Sequence, residues 1–148
     1  MDSLMPDYDR WKGMNSSAFN VYDYIHCVFR EGKVAPDLAY AFFYLFWPQF
    51  IEIDGDVFLK EKYDEKRIFG LKKKGYTGQD LEYWINLTSL ESLLPESQSI
   101  MARHLTDELA VVWRIKLQND FPQKTFHVRC LDDDGERYVV FSQETVKP

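Results

Sequence analysis

Apolar and polar positions along this chain recur at two different periods, and the points where the period changes outline its elements. Val21, Tyr24, Ile25, Val28 and Phe29 recur at three and four, the spacing that gathers side chains on one face of a helix. Asn15, Ser16 or Ser17 can start that helix by accepting a bond from the free amides of its first turn, and Gly32 stops it. Pro36 suits a first helical position for a second helix carrying Leu38, Ala41, Phe42, Leu45 and Phe46. Its opposite face is also aromatic, which predicts a central helix, ended by Pro48.

The period then shortens to two. Phe50-Ile51-Glu52-Ile53, Asp54-Gly55 and Asp56-Val57-Phe58-Leu59 read as a hairpin, because Asp-Gly tolerates the positive dihedrals of a tight turn. Residues 62–74 return to helical spacing at Ile68 and Leu71, interrupted by Gly70 and stopped at Gly75. Thr77 with Asp80 resembles a capping arrangement for a helix bearing Leu81, Trp84 and Ile85. Ser97 or Ser99 can cap the longest helix, 98–119, with Met101, Leu105, Leu109, Val112 and Ile115 along a broad face. Phe126, Val128 and Cys130 then alternate with His127 and Arg129, and the chain returns at 138–141 after an Asp-rich turn.

These elements predict an α+β fold with about four antiparallel strands in two hairpins, 50–59 and 125–142. Four to five helices pack mainly on one face of a sheet. Residues 1–148 are expected to form a single domain, the commonest size for one. Residues 1–14 show no sustained period and are expected to be a loosely docked arm.

Composition narrows the class. At 45% hydrophobic and 28% charged residues, the chain lies far from the regime in which chains stay disordered. Eleven Phe, nine Tyr and four Trp exceed what a minimal core needs, which directs some rings to a groove or interface. Cys27 and Cys130 have no second pair to form a framework and read as reduced thiols, consistent with a cytoplasmic protein. The acidic start of the chain lacks the basic-then-apolar order of a signal peptide. The apolar run 39–47 is less than half of a membrane span. Asn86-Leu87-Thr88 matches the glycosylation acceptor pattern, a common chance match.

The net charge of −6 is uneven. Residues 60–74 hold seven basic against three acidic side chains, a local +4 in a body of −10. An acidic body disfavours general binding to phosphate backbones, and Lys72-Lys73-Lys74 alone reads as a solvated helix end.

Candidate chemistry is sparse. His26-Cys27 and His127 with Cys130 do not converge locally, since helix neighbours point about 100° apart and strand positions three apart face opposite sides. Asp132, Asp133, Asp134 and Glu136 lack the ligand spacing of a calcium loop, which would need carboxylates where Cys130 and Phe141 stand. Gly70, Gly75 and Gly78 are wrongly spaced for a phosphate loop, and no nucleophile elbow occurs. No cofactor or metal is therefore expected. Glu52, Asp54 and Asp56 could form a general-acid pair, although Glu52 alternates away from Ile51 and Ile53 into solvent, where its acidity stays ordinary.

What remains is recognition. The expected function is a non-catalytic protein-binding module with a basic protein partner, in the manner of a bacterial immunity or antitoxin-like protein. Its contact residues would be the edge Glu52, Asp54 and Asp56, or the tip Asp132, Asp133, Asp134 and Glu136. Two alternatives stay open: a small enzyme or ligand-binding domain whose aromatic pocket holds His26, His104 or His127, and a nucleic-acid adaptor using residues 60–74.

Overall fold

The computed structural model describes residues 3–144, with the side chain of Ser97 outside the description, as are Met1, Asp2 and residues 145–148. The elements run α1 (Pro6–Met14), α2 (Val21–Glu31), α3 (Asp37–Phe46), β1 (Phe50–Ile53), β2 (Asp56–Leu59), α4 (Glu65–Lys73), α5 (Gln79–Asn86), α6 (Ser99–Asp120), β3 (Phe126–Asp133) and β4 (Glu136–Gln143). Over the described residues the fold is α+β, with six α-helices and two antiparallel hairpins. Its residues group into two compact units divided after Phe43, within α3.

In the first unit, residues 6–14 form a helix although their apolar positions carry no period, because Pro6 presets its first turn and Asp7 and Asp9 suit its positive end. Aromatic contacts fasten it to α2: Tyr24 lies edge-on to Tyr8 at 5.6 Å and to Trp11 at 6.3 Å, and its hydroxyl donates to Asp7 at 2.7 Å. The cap of α2 is Asn20 rather than residues 15–17. Asn20 accepts from Tyr22 N–H at 2.9 Å while its own N–H donates to Asp23 at 2.9 Å, a reciprocal box that Ser16 and Ser17 have no acidic partner to match.

The second unit is built on β-structure. Asp54 and Gly55 take φ of +53° and +88°, and Asp134 and Gly135 take +48° and +80°, so both hairpins close through the paired left-handed residues of a two-residue turn. The register pairs Phe50 with Leu59 in the first hairpin and Phe126 with Gln143 in the second. The hairpins remain separate two-stranded ladders rather than one sheet. Thr88 explains this: it exchanges two backbone bonds with Val139, both 2.9 Å, and so occupies the outer edge of β4. The buried Asn86 amide spans what would have been the seam, accepting from Leu59 N–H at 2.9 Å and donating to Val57 O at 3.0 Å and Phe141 O at 3.4 Å.

The main core joins Leu109, Trp113 and Leu117 of α6 to Val57, Val128, Val139 and Phe141. Trp113 packs edge-on against Phe141 and donates its indole N–H to Leu45 O at 2.9 Å. The buried stripe of α6 is Ala102, Thr106, Leu109, Ala110, Trp113 and Leu117, rotated from the expected one, which leaves Ile115 exposed. Small Ala102 and Thr106 let the helix lie close to the hairpin, a fit that apolar counting does not register. A second cluster joins Phe58, Ile68, Leu81 and Ile85, between β2, α4 and α5. Gly70 does not break α4, which ends in a left-handed Gly75 with Tyr76 N–H returning to Leu71 O. Gly78, not Thr77, precedes α5, and Gln98 precedes α6 without a side-chain cap. No residue of α3 is buried. Leu45 and Phe46, at its end, pack on the main core.

Candidate functional site

The two acidic patches expected to carry recognition occupy opposite ends of the second hairpin. Gln143, at its open end, donates its side-chain amide to Gly55 O in the first hairpin's turn at 2.7 Å. The Asp134-Gly135 turn lies eight residues further along the ladder, a separation of roughly 25 Å at about 3.3 Å per residue. They are two sites, not one face.

At the far end, most of the tip's charge is already used. Asp132 pairs with Arg103 and with Arg137, both at 2.7 Å, and Arg137 also bonds Asp107 on α6. Glu136 accepts from Ser89 and from Tyr138, which holds its carboxyl below the ordinary range. Asp133 and Asp134 point into solvent. The tip is fastened to α6 and to the 89–91 turn, so its −4 formal charge projects far less than its sequence implies.

At the near end, Lys124 neutralises part of the edge: it lies 3.4 Å from Glu52 and donates to Gly55 O at 3.1 Å and Gln143 at 3.0 Å. Asp54 and Asp56 instead border a cleft of about 200 Å³ between the first hairpin and α4. Its apolar lining comes from Ile53, Phe58, Tyr63, Ile68 and Phe69. Lys72 is the cleft's own cation. Burial pushes the Asp56 carboxyl up, Lys72 pulls it back down, and Asp54 adds to the upward shift. Three carboxylates, Asp54, Asp56 and Glu65, around an aromatic floor make a receptor for a side chain with an apolar stem and a cationic head.

Sequence reasoning found Asp54 and Asp56 but missed the cleft, because Phe69 and Lys72 meet them only once α4 docks on β2. It also missed Glu82. Burial beneath the first hairpin raises this carboxyl to about 7, and Gln143 holds it through its backbone N–H at 3.3 Å and its side-chain amide at 3.1 Å. A signal existed: Leu81 with Ile85 and Glu82 with Asn86 run as parallel pairs four apart, so one polar pair lies beside the buried stripe. Glu82 does not line the cleft, and burial is the main cause of its shift.

Part of the basic segment serves the fold, while Lys66, Lys72 and Lys74 are exposed. Lys62 and Arg67 donate to Leu87 O and Trp84 O at the end of α5, and Lys73 lies over the Phe69 ring at 4.6 Å. Burial lowers the Lys62 ammonium to about 8. His104 and His127 are exposed, and His26 lines an open groove of the first unit. Among the described residues, no three His, Cys, Asp or Glu side chains are placed to hold a metal ion, and no helix is long and apolar enough to cross a membrane. No protein-family model matches the chain, and comparisons with curated proteins and with solved structures give no match.

Proposed function

We propose that this chain is a non-catalytic protein-binding module that takes a lysine or arginine side chain of a basic protein partner into the cleft between the first hairpin and α4. The observation that carries this reading is the pairing of the Asp54 and Asp56 carboxylates with an aromatic floor in about 200 Å³. That volume is below the roughly 300–1,000 Å³ typical of metabolite and cofactor sites, yet adequate for one long side chain. The net charge of −6 favours rapid encounter with a basic partner, in the way a small acidic immunity or antitoxin-like protein occludes a basic toxin.

Chemical-shift mapping of the ¹⁵N-labelled chain with tetra-arginine and tetra-lysine peptides tests the assignment. Shifts should concentrate at Ile53, Asp54, Asp56, Phe69 and Lys72, and disappear in the Asp54→Asn/Asp56→Asn variant. Equal shifts at Asp133 and Asp134, or none at the cleft at millimolar peptide, would remove the assignment.

A further inference from the structure

Among the described residues of the first unit, Phe19 alone is buried. Burying one phenylalanine offsets the backbone entropy of ordering only one or a few residues. A unit of this size needs apolar cover that its own helices do not provide. The surface awaiting cover is localised. On α2, Tyr24 faces α1, while Val21, Ile25 and Phe29 follow at steps of four along the adjoining side. On α3, Leu38 and Phe42 stand one turn apart. Between the helices runs a groove of about 460 Å³ lined by Ile25, His26, Phe29, Arg30 and Ala39. A ligand pocket closes round about 70–90% of its ligand, whereas this groove is open along its length and suits a ridge of side chains.

We propose that a second copy of this chain covers the groove, with the two α2–α3 faces meeting about a twofold axis as a four-helix arrangement. Area and charge both select this occupant. Val21, Tyr22, Ile25, Leu38 and Phe42 are between 38% and 83% exposed, which leaves roughly 450 Å² of apolar surface at about 150–250 Å² per large side chain. A standard interface buries about 800 Å² per partner, a little over half of it apolar, so the face supplies the apolar share of one. A twofold contact sets a surface against itself and is opposed by any strong single charge. Residues 21–43 carry Asp23, Arg30, Glu31, Lys33 and Asp37, a net −1 out of −6. The same near-neutrality offers nothing to an anionic membrane or to nucleic acid.

Sedimentation of the full chain from 1 to 100 μM reads the outcome directly. The expected species is twice the 17.6 kDa chain mass. Ile25→Asp should convert it to monomer, while Val111→Asp on the exposed side of α6 leaves it intact. Should Ile25→Asp lose its circular dichroism, Tyr22→Glu decides instead, since that exposed ring has no part in the fold; it should weaken dimerisation at least tenfold. A wild-type monomer at 100 μM overturns the proposal, whether or not phosphatidylcholine vesicles bind it. A dimer unaffected by Tyr22→Glu and Ile25→Asp, or lost equally with Val111→Asp, also overturns it.

Discussion

Gln143 holds the buried carboxyl of Glu82 from two sides, with its backbone N–H on one oxygen and its side-chain amide on the other. The same side-chain amide bonds Gly55 O, so a titrating group sits at the junction of α5, the first hairpin's turn and the end of β4. Burial is the principal cause of its raised pKa, from 4.5 to about 7, with Asp56 adding to the rise and the Gln143 bonds opposing it. Between these values the unfolded chain releases the proton while the folded chain keeps it. Stability from this group is therefore complete below about pH 4.5, falls as pH rises to about 7, and is flat above. The full swing is about 3 kcal/mol. Urea unfolding across pH 4.5–8 should show this fall, and Glu82→Gln should flatten it while raising stability at pH 8. An unchanged pH slope in Glu82→Gln would assign the titration elsewhere.

Asn86 carries a different weight, because its amide replaces the ladder the two hairpins lack. Asn86→Ala leaves Leu59 N–H, Val57 O and Phe141 O without that partner in a buried seam. At about 1–3 kcal/mol for each buried group left unsatisfied, the variant should lose at least 3 kcal/mol in chemical denaturation. Asn86→Asp retains the acceptor for Leu59 but turns a donor toward two carbonyls into a charge, and should be no better. The buried position also bars a glycan from the Asn86-Leu87-Thr88 sequence in the folded chain.

At the second hairpin's tip, neighbouring aspartates should behave differently. Asp132→Asn removes bonds to Arg103 and Arg137 that tie the tip to α6. Since Asp132 is half exposed, solvent limits the loss to about 1 kcal/mol, or roughly 2–4 °C in melting temperature for a chain of this size. Asp133→Asn should stay within about 0.5 kcal/mol of wild type. Equal effects from the two would show that the Asp132 pairs contribute nothing net.

The hairpins were legible because Asp-Gly and alternation act within ten residues. Asp54-Gly55 could hardly be anything but a turn. The stripe of α6 was not, since Ile115 and Ala102 exchange roles according to what the hairpin brings near. Tertiary fit also decided that the hairpins would not merge, through Thr88 and Asn86, residues whose local pattern says only helix end. For the candidate site, sequence supplied the acids Asp54 and Asp56 but not the floor. Charge could be counted along 132–136, whereas its cancellation by Arg103 and Arg137, from α6 and β4, required the fold.

Lys72 offers a sharper test of the cleft than removing its acids. It is the cation among the lining residues and pulls the Asp56 carboxyl down, so it competes with an incoming guanidinium for the same field. Lys72→Ala should tighten tetra-arginine binding by about threefold at low salt, equivalent to about 0.6 kcal/mol, while Asp56→Asn should weaken it by more than that. Raising ionic strength from 20 to 200 mM should shrink both differences, because the competing charges are partly exposed and screened. The readout is a peptide titration on each variant. Weaker binding in Lys72→Ala would mean that Lys72 contacts the peptide or props the cleft open, and the side-chain-receptor reading would then fail at its central charge.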